Sequence, residues 1–131
     1  MKFITYKRFH QTAICGNVNL PSGTVVDCDL SDNTIKYKGQ PLCKLFSENA
    51  HLYFSRNDDG RGMERGALVR RIMNRLRKHD KLHQERWDKI WEDSLCQRFK
   101  RKDHPDFWVW NESFYNAEIC DLQYIAKLIG A

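Results

Sequence analysis

The sequence has no long apolar run and no secretion signal. None of its hydrophobic stretches approaches the roughly 18 residues that a membrane-spanning helix requires. The N-terminal stretch Met1–Arg8 returns to basic residues before an apolar signal core could form. The five cysteines are an odd number and include no Cys-x-x-Cys pair. We therefore expect a cytoplasmic protein that makes no membrane contact and keeps its thiols free and packed as small apolar groups.

Familiar catalytic signatures are also missing. The chain has no Gly-x-Ser-x-Gly turn and no phosphate-cradling glycine loop. His79 and His83 have the i, i+4 spacing with which two imidazoles on a helix reach one metal ion, but no third ligand stands at a recognisable spacing. Spacing alone does not select a zinc site built from Cys96, His104 and Cys120. The chain is interpreted as a non-enzymatic protein without a cofactor, and a metal-dependent enzyme is the alternative.

What the sequence does have is an uneven distribution of charge. Its 22 basic and 17 acidic residues give a net charge of +5. Counted along the chain, residues 1–55 carry +2, residues 56–102 carry +7 and residues 103–131 carry −4. A basic excess favours polyanionic partners, and here it belongs to the middle segment. The acidic last segment is a possible internal counterpart that would neutralise it.

The residue patterns change near residue 46. Three stretches rich in β-branched and aromatic residues are separated by turn-forming residues: Phe3–Phe9, Thr24–Cys28 and Thr34–Lys38. They predict a small antiparallel β-sheet over residues 1–46. Residues 47–131 are predicted to form a helical part of three to four helices. The expected fold is therefore α+β, with an N-terminal antiparallel sheet packed on the C-terminal helices around one shared core.

Apolar residues at helical spacing locate the helices. A short helix is expected from an N-cap at Ser47 to Phe54, and a strong one from Met63 to about Lys78. Asp80 could cap a further helix to about Asp93, although the sequence leaves open whether residues 62–93 form one helix or two. A last amphipathic helix is expected over Ala117–Ile129.

The helix from Met63 is predicted to carry cations on one side. Arg71, Arg75 and Lys78 fall within about 60° of each other, away from the apolar residues, and Arg70 and Arg77 extend the polar arc. Arg65 instead projects over the apolar side. A face of this kind can follow a phosphate backbone or contact an acidic protein surface. The alternative interpretation is a solvated face that is salt-bridged to its neighbours.

Two further segments combine cations or aromatic rings in ways that suit binding. Four cations surround Phe99 in the sequence, and cations interleaved with an aromatic ring are typical of sites that bind single-stranded nucleic acid. The alternative interpretation is a solvated loop with Phe99 packed in the core. In an extended segment, Trp108 and Trp110 would lie on the same face. There they could stack on bases or anchor a protein interface. The alternative interpretation is that both side chains fill the core. The four cations are Arg98, Lys100, Arg101 and Lys102.

In three stretches, the sequence resembles small proteins that are carried by phages and mobile elements of bacteria. These stretches are Cys15–Thr24, Trp87–Asp93 and Trp108–Asn111. That gene pool includes anti-CRISPR and anti-restriction proteins, which block a host nuclease or its nucleic acid. The resemblance implies an accessory binding role and assigns no catalytic or binding residue. Many such inhibitors imitate DNA with an acidic surface, whereas this chain is basic.

The partner expected from these patterns is a nucleic acid, RNA or DNA, or a host nuclease complex. The cationic helix face is the residue set that leads to this hypothesis, because a basic inhibitor would bind guide RNA, target DNA or an acidic patch of the nuclease. A pure protein-interaction module without nucleic-acid contact is the alternative. The sequence does not predict an oligomeric state.

Overall fold

The computed structural model describes residues 1–45, 47–99 and 117–131. It has an α+β architecture in which an antiparallel sheet precedes the helices, which confirms the predicted fold class. The strands are β1 (Lys2–Thr5), β2 (Phe9–Ala13), β3 (Gly16–Leu20), β4 (Val25–Asp29), β5 (Thr34–Tyr37), β6 (Gln40–Lys44) and β7 (Phe54–Arg56). The helices are α1 (Glu48–Tyr53), α2 (Gly62–Arg77), α3 (His83–Glu92) and α4 (Ile119–Leu128), with a 3₁₀ turn at Cys96–Phe99.

Five strands form one antiparallel sheet in the order β6-β5-β4-β1-β7. Strands β2 and β3 form a separate hairpin, and its tip joins the sheet at β6. There the backbone N–H groups of Ile14 and Cys15 donate to the carbonyls of Leu42 and Pro41, each at 3.0 Å. The hairpin therefore continues the β layer beyond its edge strand.

Strands β3 and β6 lie outside the three predicted stretches, and two further differences concern β1 and β7. The stretch Phe3–Phe9 is not one strand, because the chain bends after Thr5, where the Tyr6 N–H donates to the Tyr53 carbonyl at 3.0 Å. The sheet also takes its last strand, β7, from beyond residue 46, and β7 pairs with β1. Both differences arise from pairing between residues that are far apart in the sequence.

Helix α1 forms where the sequence predicts it, but Ser47 does not cap it. The Ser47 hydroxyl donates to the Lys44 carbonyl at 2.6 Å and makes no capping hydrogen bond to the first turn of the helix. The turn between β5 and β6 consists of Lys38 and Gly39. Lys38 and Gly39 both have positive φ, at 51° and 81°, as a two-residue hairpin turn requires.

Residues 62–93 form two helices, α2 and α3, separated by a short linker. Asp80 lies in this linker and does not cap α3 directly, since that helix begins three residues later, after Leu82. The Asp80 carboxylate accepts the backbone N–H of Leu82 at 3.0 Å and the guanidinium of Arg86 at 2.8 Å. Asp80 therefore stabilises the turn between the helices.

Helix α2 packs on the sheet through two glycines. A Cβ at Gly66 would lie 2.3 Å from Cγ of Tyr6, and one at Gly62 would lie 2.5 Å from Cγ2 of Ile4. Residues at and just after β1 therefore rest directly on the helix backbone. This contact turns the opposite side of α2 towards solvent.

Within the described residues, buried apolar side chains form two clusters. One lies in the β layer and includes Phe3, Phe9 and Ile35. The other joins the helices and includes Ile72 and Leu122. No helix within the three described ranges has both the length and the apolar character needed to cross a membrane.

Candidate functional site

The solvent side of α2 carries the cations that the sequence places there. Arg70, Arg71 and Arg77 are exposed, as is Lys78 directly after the helix, and Arg75 is half-buried. We call these five residues the cationic face. The opposite side of the helix is buried, as the apolar spacing predicts, and contains Leu68, Val69, Ile72, Met73 and Leu76.

Two surface depressions lie on either side of Asn74. The first, the Ala131 groove, has a volume of about 320 Å³ and is lined by Arg71, Asn74, Arg75, Lys78 and Ala131. The second, the Tyr6 pocket, has a volume of about 130 Å³ and is lined by Tyr6, Lys7, Leu52, Arg70, Met73, Asn74 and Arg77. The cationic face is therefore divided between two adjoining sites, and Lys7 adds a sixth cation.

Arginines elsewhere in the described structure are mostly paired with carboxylates. Ion pairs within 4.0 Å join Arg56 to Asp59 and Glu118, Arg61 to Glu64, Arg65 to Asp59, Arg86 to Asp80, and Arg98 to Asp121.

The arginines of α2's solvent side differ from these. No Asp or Glu side-chain carboxylate in residues 1–45, 47–99 or 117–131 lies within 4.0 Å of Arg70, Arg71, Arg75 or Arg77. Arg71 donates to the backbone oxygen of Ala131 at 3.0 Å. Lys78 is 3.9 Å from Asp80, but its side chain is 63% exposed, so this pair is weak. The charge of the face is therefore largely uncompensated.

The acids closest to the face in sequence are engaged by other groups. Glu64, the only acid on the polar arc, accepts two bonds at 2.8 Å and one at 3.0 Å from Arg61. In the acidic last segment, Glu118 pairs with Arg56 and Asp121 with Arg98. The two described acids of that segment therefore pair with arginines outside the cationic face, and its other acids, Asp103, Asp106 and Glu112, lie outside the described residues.

The buried Tyr6 phenol adds no negative charge to the Tyr6 pocket. Burial raises the pKa of the Tyr6 hydroxyl above its usual value, although the charges of Arg70 and Arg77 act in the opposite direction. The phenol therefore stays neutral at physiological pH. A neutral phenol does not form an ion pair with the three cations of the pocket, which are Lys7, Arg70 and Arg77.

Arg98 does not join the cationic face. Its Nη2 lies 3.0 Å from Oδ2 of Asp121, near the start of α4, whereas Ala131 follows the end of that helix. Ten helical residues span about 15 Å, so Arg98 and the Ala131 groove lie at opposite ends of α4.

Phe99 is 4% exposed and belongs to the helical core, as the alternative interpretation expects. The predicted Lys100, Arg101, Lys102, Trp108 and Trp110 lie outside the described residues.

Arg65 is fully buried, on the side of α2 where the helical spacing places it. Its Nε donates to the Ala117 carbonyl at 2.8 Å, and one Nη donates to the Arg56 carbonyl at 2.6 Å. The guanidinium also pairs with Asp59 at 2.6 Å and holds the pKa of that carboxyl well below its usual range. Arg65 is thus a structural clamp between α2, β7 and the residues before α4.

The histidine pair is not arranged as on a single helix. His79 lies in the linker and His83 begins α3, so the predicted i, i+4 helical geometry is wrong. Their rings stack with centroids 4.2 Å apart, and His83 Nδ1 donates to the Lys78 carbonyl at 3.0 Å. Across the described part of the chain, no group of three or more His, Cys, Asp or Glu residues could hold a metal ion.

The cysteines are free, and they divide by burial. Cys28, Cys43 and Cys96 are buried, whereas Cys15 and Cys120 are exposed. Burial raises the pKa of both Cys43 and Cys96 to about 12, so these thiols are protonated and poorly nucleophilic at physiological pH. Of the proposed zinc ligands, Cys96 is buried, Cys120 is exposed, and His104 lies outside the described residues.

Comparison with protein-family models, with curated proteins and with solved structures gave no match. Function therefore has to be inferred from the site itself.

Proposed function

We propose that this protein binds nucleic acid through the cationic face of α2. The observation that supports this is the contrast between the paired arginines elsewhere and the four on α2 that have no Asp or Glu carboxylate within 4.0 Å among the described residues. Like charges gathered on one helix repel each other and disfavour the folded state. A phosphate polymer would remove that repulsion.

The spacing along α2 suits a phosphate backbone. The three cations Arg71, Arg75 and Lys78 are spread along α2, and the first and last are seven positions apart. This separation corresponds to about 10 Å of helix axis. That distance matches about three nucleotides of one strand at 3.4 Å each. Guanidinium groups also bind phosphate oxygens with two parallel hydrogen bonds, which suits arginine better than lysine to the role.

The resemblance to phage and mobile-element proteins suggests a biological setting for this binding. A non-enzymatic accessory protein of that class would act on a CRISPR or restriction nuclease by occupying its guide RNA or target DNA. The uncompensated charge of α2 favours contact with the nucleic acid of such a complex over contact with the protein alone.

A salt series with a charge-reversed variant tests the proposal. The wild type should bind RNA or DNA with an affinity that falls linearly with salt on logarithmic axes. The double variant R71E/R75E should bind more weakly, and its slope should be smaller by about two, because two phosphate contacts are lost. Fluorescence anisotropy over a range of salt concentrations measures both quantities.

A matched control separates local charge from net charge. The variant K38E/K89E changes the net charge equally but places the changes on the β5–β6 turn and on α3. It should retain most of the wild-type binding. Undetectable binding of RNA and DNA by the wild type at low ionic strength would overturn the proposal. A host partner that survives nuclease treatment in a pull-down would instead support the protein-interaction alternative.

A further inference from the structure

We infer that the nucleic acid is double-stranded DNA, with α2 lying in its major groove and Asn74 contacting the base edges. This inference rests on the proposed function. It depends on the two-sided arrangement of cations around the centre of the exposed helix face.

The exposed face of α2 has neutral residues at its centre and cations at both edges. At about 100° per residue, Ala67 and Asn74 lie within about 20° of each other. Relative to their mean direction, Arg70 and Arg77 lie about 50° to 70° to one side. On the other side, Arg71 and Lys78 lie about 30° to 50° away and Arg75 about 90°. All of these residues except the half-buried Arg75 are exposed.

The surface has the shape that this contact needs. Asn74 lines both the Ala131 groove and the Tyr6 pocket, so α2 forms a ridge between two cation-lined depressions. Each depression contains three cations: Arg71, Arg75 and Lys78 in one, and Lys7, Arg70 and Arg77 in the other. Two such rows match the two phosphate backbones that border a groove, whereas a single strand would need only one row.

The width of the major groove distinguishes duplex DNA from duplex RNA as the partner of α2. The major groove of B-form DNA is about 12 Å wide and admits an α-helix. The major groove of A-form RNA is deep and too narrow for side chains to read. A helical ridge with cations on both sides therefore fits duplex DNA better than duplex RNA.

Asn74 has the chemistry of a base-contacting residue. Its amide makes no hydrogen bond with the described residues, and Asn is a poor helix former, so helix stability does not explain its position. An asparagine amide can pair with N6 and N7 of adenine through two hydrogen bonds. Ala67 lies seven residues away, about 10 Å or three base pairs along the groove, where a methyl group can contact thymine.

Selection from a random duplex library tests the inference. The wild type should enrich sites that contain a fixed adenine, with about tenfold discrimination against other bases at that position. The variant Asn74→Ala should lose this preference while its affinity for random duplex and its salt slope stay close to those of the wild type. The control Gln123→Ala, which removes an exposed amide from α4, should retain the preference.

The outcomes separate the inference from the proposed function. Duplex binding without base preference, or a preference unchanged in Asn74→Ala, would overturn the inference. Binding confined to single strands or to RNA would also overturn it and leave the proposed function intact. Failure to bind any nucleic acid at low ionic strength would overturn both.

Discussion

Arg65 joins segments that are distant in sequence. Replacing it with Met would leave the carbonyls of Arg56 and Ala117 without the Arg65 donor and Asp59 without its nearest ion-pair partner. We expect Arg65→Met to lower the free energy of unfolding by about 3 kcal/mol, as measured by urea denaturation. The control Arg61→Met, which breaks an exposed pair with Glu64, should cost less than about 1 kcal/mol. Equal losses in the two variants would contradict the clamp.

Asp29 provides a pH-dependent prediction. Bonds from the hydroxyl and the backbone N–H of Ser31, followed by the Lys36 ammonium, lower the pKa of Asp29 to about 2. Because this value lies below the unfolded value near 3.9, the contribution to stability is present above pH 4 and is lost as the pH falls towards 2.

We expect Ser31→Ala to raise the pKa of Asp29 towards its unfolded value, because the variant removes the largest cause of the shift. An NMR titration of the carboxyl carbons measures it directly. An unchanged Asp29 titration in the variant would show that Ser31 is not the cause.

At the scale of elements, the contact between α2 and the sheet depends on Gly66. Glycine to alanine inside a helix ordinarily stabilises it by about 1 kcal/mol. At Gly66 the added Cβ would lie 2.3 Å from the Tyr6 ring, so overpacking should reverse the sign. We expect Gly66→Ala to lower the melting temperature. In a Tyr6→Ala background the same change should be neutral or stabilising, and a stabilised single variant would contradict this packing.

The sequence predicts features of α2 that depend on local periodicity. Its boundaries, its buried side and the inward direction of Arg65 follow from a repeat of 3.6 residues. The hydrogen-bond partners of Arg65 do not, because Asp59 and Ala117 reach it through the loop before α2 and the residues before α4. The glycine pair four residues apart within the helical pattern was a readable signal of close backbone approach.

Strand pairing was less predictable than the helices. Strand β7 is three residues long and follows a short helix, so its sequence carries no alternation of its own. It becomes a strand only because β1 offers a free edge. The β2–β3 hairpin includes Asn17 and Asn19, which favour turns over strands, and its pairing outweighs that local preference.

At the scale of the whole molecule, the charge counted along the sequence differs from the charge left unpaired in the folded structure. The middle segment carries +7, but pairing with carboxylates involves Arg56, Arg61, Arg65 and Arg86. The Arg56–Glu118 pair joins residues 62 positions apart, which counting along the chain cannot reveal. Among the described arginines of this segment, those without an Asp or Glu partner therefore all lie on α2.

The two depressions beside α2 draw their outer walls from opposite ends of the sequence, Lys7 on one side and Ala131 on the other. A nucleic acid that lies across both would act as a reversible cross-link over almost the entire chain. Because it binds only the folded arrangement, a duplex at 100 times its dissociation constant should stabilise the protein by about 2.7 kcal/mol. Calorimetry should show a melting temperature that rises with duplex concentration in the wild type, and less so in R71E/R75E. Partner binding would then hold the sheet and the helices together, so that occupancy and global stability report the same event.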